Sequence, residues 1–269
     1  MKKLFVLIAA ACMTCTAAFA QTVKPFKEGE RAVFLGNSIT DGGHYHSYIW
    51  LYYMTRFPDM PIRVFNGGIG GDTAYDMNKR LDGDIFAMKP SVLMVTFGMN
   101  DSGYFEYNGD KPKEFGEQKY QESIKNYQQM EKRFKDLPDT RIVMVGTSPY
   151  DETVQLKENT PFKTKNETIK RLVEYQKESA AKNNWEFTDL NAPMTAINQQ
   201  YQQKDPTFTL CGSDRIHPDN DGHMVMAYLF LKAQGFVGKE VADMEINANK
   251  KQAVKSENCT VSEWKRFEF

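Results

Sequence analysis

Arg31-Ala32-Val33-Phe34-Leu35-Gly36-Asn37-Ser38-Ile39-Thr40-Asp41 decides the fold. Arg31–Leu35 is apolar and β-prone, and reads as a buried strand. Gly36 breaks the run, and a short polar turn leads to a helix start. The pattern recurs along the chain. Ile62–Asn66 runs into Gly67–Gly71, and Val92–Phe97 into Gly98-Met99-Asn100-Asp101, while Arg141–Gly146 and Trp185–Leu190 complete the strand set. Val92–Phe97 and Ile142–Val145 are near-continuous apolar runs, as expected where helices cover both faces of a parallel sheet.

Helical periodicity fills the gaps. Tyr120, Ile124, Tyr127, Met130 and Phe134 form one apolar stripe. Ile169, Leu172, Val173, Gln176 and Ala180 form another, and the spacing of Thr164 and Glu167 predicts a capping box at its start. A last helix is expected from Asn220 to Gln234, with Gly235 at its C-terminal cap. Residues Gly103–Gly116 read as a polar, aromatic insertion without periodicity. The alternation predicts an α/β fold: a three-layer α/β/α sandwich around a central five-stranded, mostly parallel sheet. In such sheets ligands bind beyond the carboxyl ends of the strands. Ser38 follows the first strand, Gly71 the second and Asn100 the third, so all three are expected at one sheet edge.

Lys2 and Lys3 precede an apolar run, Leu4 to Met13, that is too short to span a bilayer. Ala18-Phe19-Ala20 supplies an A-x-A cleavage site, so residues 1–20 read as a secretory signal peptide. The expected product is secreted or periplasmic. Residues 21–240 are expected to form the main domain, and 241–269 a C-terminal tail to which the sequence assigns no role. Removing Lys2 and Lys3 shifts the formal net charge from -1 to -3. That balance offers no basic face for nucleic acid and no polybasic membrane anchor. No later segment is apolar enough to be an integral membrane span. Cys211 and Cys259 remain; export permits their pairing, and spacing alone does not decide it.

Four patches carry chemistry: Gly36-Asn37-Ser38-Ile39-Thr40-Asp41, Gly70-Gly71-Asp72-Thr73, Gly98-Met99-Asn100-Asp101 and Asp214-Arg215-Ile216-His217-Pro218. A serine hydroxyl needs an adjacent base to attack an ester. His217 can take and return a proton near neutral pH, and Asp214 can fix its tautomer. Gly71 through its N–H, Asn100 through its amide and Ser38 through its own N–H can hold an oxyanion. The competing reading of Ser38 as a helix N-cap has force only when that patch is taken alone. The set and its order resemble the SGNH, or GDSL-type, hydrolase family over roughly residues 31–235. The family's usual Gly-Asp-Ser is Gly-Asn-Ser here, which leaves the hydroxyl intact.

That resemblance implies a serine esterase with catalytic Ser38, Asp214, His217, Gly71 and Asn100, and with no cofactor or metal. An acylated small molecule or polysaccharide is the expected partner, acetyl on carbohydrate above all. Two alternatives are a lipase or lysophospholipase of the same family and a silent carbohydrate-binding domain on this scaffold. A dinucleotide site is disfavoured, because Gly68-x-Gly70-x-x-Thr73 follows the second strand and lacks the third glycine. An α/β-hydrolase elbow is disfavoured, because position 40 is threonine. His44 and His46 have H-x-H spacing without an evident third ligand and are expected to line the pocket or start a helix. His223 is expected on the surface of the last helix. Asp41, Asp72 and Asp101 are expected to brace turns, and Tyr104, Phe105 and Tyr107 either stack on sugar rings or pack on themselves.

Overall fold

A computed structural model describes residues 22–157 and 160–260. The expected signal peptide, residues 1–20, lies outside the described residues, as does 261–269 of the expected tail. The chain divides into two compact units, with the boundary between Gly235 and Phe236. In order, the first unit holds β1 (Arg31–Gly36), α1 (Ser38–Asp41), α2 (His44–Arg56), β2 (Arg63–Gly68), α3 (Ala74–Arg80), β3 (Val92–Val95) and α4 (Pro112–Lys135). It continues with β4 (Arg141–Gly146), α5 (Lys165–Lys182), β5 (Glu186–Asp189), α6 (Asn191–Gln202) and α7 (Asn220–Ala233). The second unit holds a hairpin of β6 (Asp243–Asn247) and β7 (Gln252–Glu257), paired antiparallel.

The five strands of the first unit are ordered β2-β1-β3-β4-β5, and every pairing is parallel. Side chains alternate between the faces of each strand. Val33, Leu35, Leu93, Val95, Ile142 and Met144 pack with Met77, Tyr127, Met130, Phe134 and Ala180, and all are essentially inaccessible. That core joins the sheet to α3, α4 and α5. On α2 and α7, which pack against each other, Ile49, Tyr53, Met226 and Phe230 are buried. Phe34 meets Phe230 at 6.1 Å. Both faces are therefore covered, which is why the strands read as continuous apolar runs. The chain order switches between β1 and β3, the place where open α/β sheets bind ligands.

Two local expectations change. The insertion is structured: Phe105–Asn108 forms a 3₁₀ turn and α4 begins at Pro112. Proline suits the first helical turn, where its missing N–H costs nothing. The Thr164–Glu167 capping box does not form. Thr164 sits at φ +69° without a side-chain cap, and its N–H donates to Glu152 Oε2 instead. Cys211 and Cys259 are both free thiols. Burial pushes the Cys211 thiol up to about 12. Among the described residues no helix is long and apolar enough to cross a membrane. Trp50, Leu51 and Met54 of α2 and Met224 and Tyr228 of α7 nevertheless face solvent.

Candidate active site

The turn after β1 places Ser38. Asn37 keeps extended backbone (φ -101°), and its Oδ1 accepts from the Ile39 N–H at 3.1 Å. Asn37 is thus the N-cap, and it is 2 % exposed. The cap is the residue before the serine, so the Ser38 hydroxyl stays free for other work. It meets His217 Nε2 at 2.7 Å. Ser38 opens α1, where the first N–H groups of a helix have no intrahelical acceptor.

His217 lies on the loop before α7. Its Nδ1 is 2.6 Å from Asp214 Oδ2, and Asp214 Oδ1 accepts from the backbone N–H groups of Ile216 and His217, each at 2.9 Å. A carboxylate only accepts, so the imidazole proton sits on Nδ1 and the Nε2 lone pair faces Ser38. Arg215 holds this loop from below. It is 2 % exposed, and its Nη1 donates to the carbonyls of Asp151 (3.1 Å) and Val154 (2.7 Å). Its backbone is left-handed at φ +68°, so the loop doubles back between the acid and the histidine.

The hydrogen bond to Asp214 raises the His217 pKa above its ordinary 6.5, against a smaller effect of burial. Burial pushes the Asp214 carboxyl up, but the ring and backbone N–H groups of His217 and the N–H of Ile216 outweigh it and hold the group low. An imidazole serving as a base at this position would work only when neutral. We therefore expect kcat/KM to fall in acid with a midpoint above 6.5, read from a pH–rate profile. A profile flat from pH 8 to pH 5 contradicts this role for His217.

Gly71 lies in the loop after β2 at φ +84°, a backbone that glycine adopts without strain. A Cβ there would meet nothing within 4 Å, so the space above it is open. Backbone packs closely on backbone at Gly68, where a Cβ would lie 2.2 Å from the Asp41 N. Gly68 lets α1 rest directly on the end of β2. Arg80 ties the region together. Its Nε donates to Asp72 Oδ2 at 2.6 Å, and its Nη2 to the carbonyls of Gly67 (2.8 Å) and Gly36 (3.2 Å).

Asn100 follows β3. Its Nδ2 donates to the Asp72 carbonyl at 2.9 Å, and its Oδ1 accepts from the Tyr104 hydroxyl. One amide N–H remains for a ligand. Asp101 is fully buried and accepts from the N–H groups of Ala74 (2.9 Å) and Gly98 (3.0 Å) and from Ser123 Oγ (3.1 Å). It braces the Asn100 turn against α3 and α4, as the sequence suggests for Asp72 and Asp101. Ser38, His217 and Asp214 are thus in direct contact. Gly71 and Asn100 stand on neighbouring loops of the same sheet edge, joined through Asp72.

Other expectations fare differently. His44 begins α2, and its Nδ1 meets Asn220 Oδ1 at 2.9 Å; His46 is buried, and its Nε2 meets the Thr40 carbonyl at 3.2 Å. His223 is not a surface residue. It is 5 % exposed and stacks on His44 at 4.9 Å, beside Tyr45. Burial, with smaller effects from His44, His46 and His217, pushes its pKa down to about 4. The unfolded chain takes up a proton near 6.5, the folded one only near 4. The contribution of His223 to stability is therefore complete above 6.5 and lost as pH falls toward 4, by up to roughly 3 kcal/mol. Urea unfolding at pH 7 and pH 4.5 measures this loss, and His223→Gln should flatten it. Of the three aromatics after Asn100, Tyr104 and Tyr107 turn inward, with the Tyr107 hydroxyl donating to the Ser102 carbonyl. Phe105 stays 78 % exposed.

Sequence reasoning assigned nothing to Arg80, Arg215, Tyr104 as an Asn100 partner, or Lys165. Lys165 had one signal: it lies one helical turn before Ile169, on the buried stripe of α5.

An all-parallel sheet of this order, carrying a serine–histidine–aspartate chain at its switch point, defines an α/β/α hydrolase of the SGNH type. Residues 34–225 match the GDSL-like Lipase/Acylhydrolase family; the chain belongs to that family and is a carboxylic ester hydrolase. It is 27% identical over 224 residues to an acetylxylan esterase from Geobacillus stearothermophilus, covering 77% of this chain and 95% of that one. A solved structure of that esterase matches with a TM-score of 0.61 at 24% identity, over 80% of this chain and 96% of that chain. Its catalytic mutants carry alanine in place of a serine, an aspartate, and a histidine three positions after the aspartate. A gut microbial diltiazem-metabolizing enzyme of solved structure is 83% identical, with a TM-score of 0.87 over 92% of this chain. This chain spans 56% of that enzyme's length.

Proposed function

We propose that this esterase is exported by the leader at residues 1–20 and removes short acyl groups, chiefly acetyl, from carbohydrate through an acyl-serine. The observation that carries the mechanism is the unbroken Ser38–His217–Asp214 chain, at 2.7 and 2.6 Å. Ser38 Oγ attacks the ester carbonyl as its proton passes to His217 Nε2. Asp214 stabilises the imidazolium that forms. The N–H groups of Ser38 and Gly71 and the free amide N–H of Asn100 receive the oxyanion. Collapse breaks the ester C–O bond, and His217 returns the proton to the leaving alcohol. Water, deprotonated by His217, then cleaves the acyl-serine and restores the hydroxyl.

Carbohydrate is supported by the acetylxylan esterase relative, whose aspartate-to-histidine spacing matches that of Asp214 and His217. The exposed ring of Phe105 beside the Asn100 loop offers a face for a sugar. A second reading, a small-molecule ester, is favoured by the 83% identical enzyme described as diltiazem-metabolizing. One panel separates them: acetate release from acetylated xylo-oligosaccharides and from diltiazem, beside hydrolysis of long-chain p-nitrophenyl esters. The carbohydrate reading expects the largest kcat/KM on the oligosaccharides. Preference for long chains defeats both acetyl readings.

A further inference from the structure

We propose that Tyr104 and Lys165 form a positioning pair that fixes Asn100 as an oxyanion donor and lends it the field of a buried cation. The proposal rests on the serine-esterase reading above. The Asp72 carbonyl can only accept, so the Asn100 amide must turn its Nδ2 toward it, at 2.9 Å. Asn100 Oδ1 then receives the Tyr104 hydroxyl. That contact polarises the amide, so the remaining N–H is both aimed and strengthened. Tyr104 O–H has Asn100 as its partner, and its ring is packed edge-on against Phe162 at 6.0 Å.

Lys165 lies directly over this tyrosine. Its Nζ is 3.9 Å from the centroid of the Tyr104 ring, and the residue is wholly buried. The same Nζ contacts the Met99 carbonyl (2.7 Å), Ser102 Oγ (2.6 Å) and the Gly103 carbonyl (2.5 Å). Ser102 already donates its own proton to the Met99 carbonyl at 2.9 Å, so it too presents a lone pair to the lysine. Three acceptors demand three N–H donors, which the ammonium form has and the neutral amine lacks. Burial dominates and holds the Lys165 pKa well below its ordinary 10.5, with the Asp101 carboxylate pulling the other way; the three acceptors are what argue for the ammonium form. A cation on the ring face draws electron density from the phenol and makes its hydroxyl a better donor.

The chain carries a strained residue where this arrangement begins. Thr164 is β-branched yet left-handed at φ +69°, and its N–H is held by the Glu152 carboxylate at 2.5 Å. Such a backbone persists only when its surroundings impose it. Here it turns Lys165 inward, in line with Ile169 and the rest of the buried face of α5. A purely structural lysine accounts for the bonds to Met99, Ser102 and Gly103. It does not account for the tyrosine hydroxyl placed on the amide of Asn100.

The test is a double-mutant cycle on the full chain with p-nitrophenyl acetate. Asn100→Ala should lower kcat by about 10²–10³-fold. Tyr104→Phe removes only the hydroxyl and should lower kcat about tenfold, with KM changed less than twofold. The double variant should be no slower than Asn100→Ala alone. Affinity for phenylboronic acid, whose serine adduct is a tetrahedral anion, should fall in Tyr104→Phe in parallel with kcat/KM. Lys165→Gln keeps two donors without charge; it should lower kcat several-fold in the parent and far less in the Tyr104→Phe background. If Asn100→Ala is slow while Tyr104→Phe matches the parent, the pair has no such role and the esterase reading stands. If the two losses simply multiply, Tyr104 acts elsewhere and the proposal fails. If Asn100→Ala is fully active, the donor assignment itself is wrong. Should Lys165→Gln not fold, the Tyr104–Asn100 cycle still decides the outcome.

Discussion

Ser38→Ala is expected to lower kcat on an acetyl ester by on the order of 10⁵- to 10⁶-fold while the fold persists. Size of effect and tolerance share one origin. The hydroxyl's partner is His217 Nε2, whereas the turn itself is held by Asn37 Oδ1 and by the fit of Gly68 against Asp41. Alanine removes the nucleophile and leaves those contacts alone. Thermal unfolding should match the parent within a few degrees, and a fluorophosphonate that labels the parent should leave the variant unlabelled. Turnover within tenfold of the parent would mean that the reaction runs without an acyl-serine.

Asp214→Asn is expected to cost about 10⁴-fold, through the tautomer rather than the charge alone. Asp214 Oδ1 accepts two backbone N–H groups, so an asparagine keeps its oxygen there and turns its NH₂ toward His217 Nδ1. The ring must then offer a lone pair at Nδ1 and carry its proton on Nε2, facing Ser38, where it can no longer accept. The pH profile of the residual activity adds a check. The bond to Asp214 is the main reason the His217 pKa is raised, so its loss moves the acid limb to lower pH. A loss below tenfold, or an unmoved limb, contradicts the role given to Asp214.

Much of this was legible in the chain because a parallel sheet writes itself locally. Val92–Val95 and Arg141–Gly146 read as buried strands, and the motifs follow the strand ends, so one rule of topology gathered Ser38, Gly71 and Asn100. Asp214 and His217 were legible because three residues of one loop suffice to join them. The failures are tertiary. Nothing local tells that His223 is covered by His44 and Tyr45, since a histidine on a helix is equally at home in solvent. The Thr164–Glu167 spacing is a sound capping signal, overridden by Glu152 taking the Thr164 N–H and by burial of Lys165. The stretch after Asn100 read as irregular because its aromatics face different neighbours: Tyr104 meets Asn100 and Lys165, while Tyr107 meets Ser102 and Thr168. Proline 112 was the local mark of the helix that follows it.

Asn37 gives the clasp under the nucleophile a particular character. An aspartate in that sealed position could take up a proton in acid, weakening the acceptor that holds the turn. The amide has no proton equilibrium in the working range, so acidification silences His217 without unfastening Ser38. Loss of rate in mild acid should therefore reverse fully on return to neutrality.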